Sequence, residues 1–319
     1  MSSRAGVLVG AISLLLLALA VGIYAFPRAG SGSLKAVPKP TSSTNPTQPA
    51  IISPTAAPTS TIYGHVVLIV LENHSFETVI GNSEAPYLNS LANWWSLATG
   101  YSGVSHPSLP NYLAMIGGST FGITSDCTDC FVSAPSLPDR LEAAGKTWKG
   151  YMEGMPSPCF VGSSGLYAQK HNPFIYFDPI RLDPARCSRI VPYGQLATDF
   201  ASPATAPSFA FITPNLCNDG HDCTLSTADA WVSHEVPALM ASPAFAGSPS
   251  LLVITFDEGE GGSDRVATIL AGSGVKSGFQ SAVTYNHYSM LRTIESLWGL
   301  APLASGDGAA TPMTDFFSS

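Results

Sequence analysis

Four short apolar runs punctuate the chain: HVVLIVL (65–71), PSFAFIT (207–213), SLLVITF (250–256) and VATILAG (266–272). The first and third are apolar nearly throughout, the pattern of strands covered on both faces within a parallel sheet. Residues 84–97, 110–117, 136–145, 226–241 and 287–298 read as helices. Strands alternating with helices predict an α/β fold, with a mainly parallel central sheet and helices on both faces. No repeat recurs at solenoid spacing.

The first apolar stretch belongs to none of this. Ala5 to Phe26 carry no charge, follow Arg4 and are long enough to cross a bilayer. Residues 1–26 are therefore expected to be a signal anchor or signal peptide. Ile23, where a signal peptidase prefers a small residue, tips the reading toward the anchor. Residues 27–61 are rich in Pro, Ser, Thr and Ala, a composition that buries no core and makes a semi-extended linker. Residues 62–319 are left as one globular catalytic domain of ordinary size. The expected location is extracytoplasmic, anchored or secreted, with membrane contact through the N-terminal segment only.

Setting the leader aside changes the charge. The first 60 residues hold four of the 14 basic residues and none of the 22 acidic ones, so the remainder carries a formal −12. That balance argues against nucleic acid as a partner. All six cysteines lie in the domain, and an even count behind an export signal implies disulfides. Neighbour pairing, 127–130, 159–187 and 217–223, is the simplest of about 15 connectivities. The competing zinc reading of CTDC (127–130) lacks a second CxxC at finger-like spacing.

The residues after each run carry the chemistry. HVVLIVL leads into Glu72-Asn73, PSFAFIT into PNLCNDGHDC with Asp219, His221 and Asp222, and SLLVITF into Asp257-Glu258. Ligands of open α/β sheets bind outside the carboxyl ends of the strands, so these groups are expected on one rim. Glu72, Asn73, Asp257 and Glu258 offer hard oxygen donors suited to Mg²⁺, Ca²⁺ or Mn²⁺. In SHPSLPNYLA, Ser108 sits between two prolines at a helix start, where it is either an N-cap or a hydroxyl facing a cation and an anionic substrate. His106, His171, His221 and His287 are the candidate partners for a phosphoryl group, while His65, His74 and His234 read as structural or surface residues.

LENHSFETVIG resembles the ENxSF(D/E) signature of the bacterial phosphoesterase family, which contains acid phosphatases and phospholipases C within the alkaline-phosphatase-like superfamily. HPSLPNYLA resembles that family's nucleophile segment. KHNPFIYF, PNLCNDGHDC, TFDEGEGG and YNHYSMLRTIE resemble further blocks, in family order, from about residue 65 to 298. The resemblance implies an alkaline-phosphatase-like fold and a divalent metal held by Glu72, Asn73, Asp257 and Glu258, with Ser108 as nucleophile and metal neighbour. It implies His171 and His221, and less directly His287, as phosphate-binding groups. Lys170 stands where some acid phosphatases have a second histidine, so part of the phosphate clamp is expected to be an ammonium. The short body and Ser nucleophile favour a phosphomonoesterase, with a phosphoinositide headgroup among the conceivable substrates. A phospholipase C-type phosphodiesterase and a non-catalytic, surface-anchored phosphate or metal binder are the alternatives.

Overall fold

The computed structural model describes Tyr63–Ser318; the expected anchor and linker lie outside the described residues. Within them, no helix is long and apolar enough to cross a membrane.

Eight strands form the central sheet: β1 His65–Leu71, β2 Ser96–Ala98, β3 Trp148–Met152, β4 Ile190–Pro192, β5 Phe209–Thr213, β6 Ser250–Phe256, β7 Thr268–Gly272 and β8 Phe279–Ser281. Their order across the sheet is β4-β3-β5-β1-β6-β7-β2-β8. The five strands β4 to β6 in this order are mutually parallel; β7 runs against both its neighbours, β6 and β2. Every residue of β1 and β6 is buried, which requires cover on both faces and explains why these runs are unbroken by polar positions. Each fully buried Val, Leu or Ile there contributes about 1.5–3 kcal/mol.

The principal helices are α1 Pro86–Trp94, α2 Ser108–Gly117, α3 Leu137–Ala143, α4 Leu225–Met240 and α5 His287–Leu297. They pack in two groups, α1 with α4 and α2 with α3 and α5. The helix expected over 84–97 stops at Trp94, because Leu97 and Ala98 turn into a strand filling the gap between β7 and β8. β3, β4 and β8 add to the strands expected from the sequence. The three disulfides join Cys127–Cys130, Cys159–Cys187 and Cys217–Cys223, which is the neighbour pairing, and no cysteine is left for zinc.

Candidate active site

Register brings the acidic residues together. Leu71 pairs with Phe256 at the ends of β1 and β6, so Glu72 and Asp257 leave the sheet side by side. The Asp257 amide donates to the Leu71 carbonyl (2.9 Å), and the Glu72 amide donates to the Asp219 carbonyl (2.8 Å), tying in the loop after β5. Asn73 adopts φ 55°, a left-handed conformation that Asn tolerates, and its amide donates to Asp257 Oδ1 at 3.2 Å. Gly103 closes the floor: a Cβ there would lie 2.8 Å from the Asp257 carbonyl oxygen.

Ser108 is delivered by the turn before α2. Asn111 Oδ1 accepts from the amides of Val104 and Ser105, and its Nδ2 donates to the Ser105 carbonyl, lashing the turn to the helix. The N-cap is Pro107, so the capping role considered for Ser108 is not the one it has. Instead its buried Oγ donates to Glu72 Oε2 at 3.1 Å and lies 3.5 Å from Glu258 Oε1. One turn on, Tyr112 donates to Glu72 Oε1 at 2.5 Å. Residues four apart share a helix face, and here both hydroxyls grip one carboxylate.

The histidines divide. His171 is buried between two carboxylates, Nε2 3.3 Å from Glu72 Oε2 and Nδ1 3.2 Å from Asp219 Oδ2, with its ring stacked on Tyr112. His221 is half-buried, Nδ1 2.7 Å from Asp222 and Nε2 3.1 Å from Lys170 Nζ. His287 is corrected by the structure. Its Nε2 donates to the Asp257 carbonyl at 2.6 Å and its Nδ1 meets the Tyr101 hydroxyl at 3.0 Å. Both ring nitrogens are therefore spent on holding the Asp257 backbone, and none is left for a phosphoryl oxygen. Burial pushes its pKa down to about 4, which keeps the ring neutral. His106, two residues before Ser108, spans Glu258 Oε2 (2.7 Å) and Asp264 Oδ1 (3.0 Å).

This arrangement is short of positive charge. Burial, then the neighbouring Asp257 and Asp219 charges, push Glu72 well above the usual carboxylate range. Burial, then Glu258, raises Asp257, and burial raises Asp219 and Glu258. Asp257 Oδ2 is buried without a partner, while Asp219 Oδ2, Glu258 Oε2 and His171 Nε2 have only the histidine–carboxylate contacts described above. A buried carboxylate oxygen without a partner, amid other crowded carboxylates, costs free energy unless something satisfies it. Oxygen donors around Ser108 fit a hard divalent cation. Glu72, His171 and His221 also present three donor atoms within 4.8 Å of one another.

Tyr112 and Asp126 were given no role in the expected site, whereas Asp219 was expected on the rim and His106 was a phosphoryl candidate. Tyr112 carried a signal in its i+4 spacing from Ser108. Asp126, just before CTDC, carried none.

Comparison with known proteins agrees with this geometry. The phosphoesterase family model matches residues 82–301. The chain is 36% identical over 258 residues to the phosphatidylinositol-3-phosphatase of Mycobacterium tuberculosis, covering 80% of this chain and 83% of that one. It is 33% identical over 263 residues to a phosphate-repressible acid phosphatase of Penicillium chrysogenum, covering 78% of this chain but 62% of the fungal protein. The fold is similar to that of an alkaline phosphatase superfamily protein from Vibrio parahaemolyticus, with a TM-score of 0.53, 12% identity and coverage of 80% and 73%. With a carboxylate-ringed serine at the sheet's rim and relatives of this kind, the non-catalytic alternative falls away: the chain belongs to the phosphoesterase family and is a hydrolase of phosphoric esters.

Proposed function

We propose that the protein is a metal-dependent phosphomonoesterase with Ser108 as its nucleophile. The observation that supports this best is the buried Ser108 Oγ, which ignores its own helix and points into the Glu72–Asp257–Glu258 cluster. Glu72, Asp257 and Glu258, with Ser108 and Asn73 beside them, are the residues that would hold the cation. A divalent ion there, Mg²⁺, Ca²⁺ or Mn²⁺, supplies a lowered pKa for the serine hydroxyl and charge to offset the phosphoryl oxygens. The cluster at Glu72, His171 and His221 is a second seat, favoured by its three donor atoms lying within 4.8 Å of one another.

The chain's own groups account for the remaining steps. Ser108 Oγ loses its proton to the adjoining carboxylates and attacks phosphorus. The Oγ–P bond forms as the ester P–O bond breaks, and its electron pair leaves on the alcohol oxygen, which is then protonated. Water attacks the phosphoserine, releasing phosphate and restoring the hydroxyl. The Leu109 amide, next to Ser108 at the start of α2, shares Asp126 with Lys170 Nζ, which lies 3.1 Å from His221 Nε2; these three groups would form the phosphate seat.

Phosphate monoesters are the substrate class, and the 36% identical relative supports including phosphoinositide headgroups. The three disulfides support an extracytoplasmic location. Turnover of p-nitrophenyl phosphate and bis-p-nitrophenyl phosphate, before and after chelation, tests the proposal. The monoester should be preferred, and activity should vanish with chelator and return with one of the three metals. Faster diester turnover would instead place the protein with the phospholipase C-type enzymes.

A further inference from the structure

The phosphate seat already holds an anion, and it comes from the chain itself. Asp126 Oδ1 accepts from the Leu109 amide at 2.9 Å, and its Oδ2 lies 2.9 Å from Lys170 Nζ. The amide next to the nucleophile and the Lys170 ammonium are thus bridged by a single carboxylate. Two planar oxygens spanning two donors reproduce how one edge of a phosphoryl group would be held.

The contact is built rather than incidental. The Cys127–Cys130 disulfide closes a tight loop directly after Asp126. Gln169 Nε2 donates to the Thr128 carbonyl at 2.7 Å, and the Tyr176 hydroxyl donates to the Cys127 carbonyl at 3.0 Å. The loop is therefore fastened to the same segment that carries Lys170 and His171. Asp126 remains partly open to solvent.

We infer that Asp126 is a resident competitor for the phosphate seat: it occupies the Leu109 amide and Lys170 between turnovers, yields to the phosphoryl group of the substrate, and returns to displace product phosphate. This rests on the proposed seat. The opposite role, in which Asp126 merely steers Lys170 toward phosphate, predicts the opposite sign when its charge is removed.

The probe is inorganic phosphate, measured with the purified full chain both by calorimetric binding and as a competitive inhibitor of p-nitrophenyl phosphate turnover. Asp126→Asn keeps an oxygen for the Leu109 amide and removes only the charge. It should tighten phosphate binding about tenfold, since one full negative charge leaves the seat. Asp126→Ser, which removes the charge with a smaller group, should tighten it as well. Unchanged or weaker phosphate binding in both variants overturns the inference. Lys170→Ala separates this failure from failure of the seat. If it weakens phosphate binding while the Asp126 variants do not tighten it, the seat stands and Asp126 is a steering residue. If Lys170→Ala leaves phosphate binding unchanged, the seat is misplaced and the inference falls with it.

Discussion

Replacing Tyr112 by phenylalanine removes one oxygen from the candidate site and little else. The ring stays stacked on His171, at 5.3 Å between centroids, and tilted against Phe211. What is lost is the hydroxyl that donates to Glu72 Oε1, inside a region where Glu72 is fully buried. A hydrogen bond to a charged acceptor is worth about 1.5–3 kcal/mol. That loss falls on whichever state holds Glu72 ionised. Without a cation, burial and the neighbouring Asp257 and Asp219 favour the neutral acid, so the metal-free protein should lose little stability. With a cation the carboxylate is ionised, so the loss appears in metal affinity, roughly tenfold to a hundredfold. Calorimetric titration of chelator-treated wild type and Tyr112→Phe with Mn²⁺ measures this directly, alongside melting temperatures with and without the ion. A variant whose metal Kd and kcat stay within about twofold of wild type would remove Glu72 from the set of ligands. So would a variant that melts early yet binds metal normally.

Ser108→Ala should keep metal binding while losing about 10³-fold or more in kcat, whereas Asp257→Asn should lose activity and metal affinity together; near-normal turnover by Ser108→Ala in a p-nitrophenyl phosphate assay would end the nucleophile proposal. Gly118, with φ 67° at the C-terminus of α2, would place an alanine Cβ 2.2 Å from Asp307 Oδ1, so Gly118→Ala should cost about 2 kcal/mol or more in denaturant unfolding through strain and overlap combined. Glu295, buried in α5, has its pKa pushed up to about 8 by burial and then by Asp307. Its folded pKa exceeds the unfolded value, so the stability it contributes is full below about pH 4.5 and is lost as pH rises through 8. Glu295→Gln should therefore melt like wild type at pH 4.5 and several degrees above it at pH 8; parallel melting curves across that window would contradict this.

The parts legible in the chain were those governed by neighbours in sequence. His65–Leu71 and Ser250–Phe256 are strands over the residues expected, because burial on both faces demands an unbroken apolar run. Glu72 and Asp257 follow such runs directly, and a β-strand's end fixes where the next residue goes, so their meeting on one rim needed only the assumption of parallel pairing. Ser108 was legible in the same way, as the first residue of a helix. Trp148–Met152 was not, since Lys149 and Gly150 interrupt its pattern and its burial depends on lying between β4 and β5. Nor did VATILAG reveal that its strand runs antiparallel, a choice made by the short return from β6. Within the site, tertiary structure decided what each polar group faces. His287 looked like a phosphate ligand by its motif, yet the packing of α5 turns it onto the Asp257 backbone. Asp126 lies 17 residues from Leu109 and 44 from Lys170, distances at which periodicity carries no information. Only the closing of the sheet and the disulfide loop brings its carboxylate onto their donors, because a contact between distant residues is set by the packing of the elements that carry them.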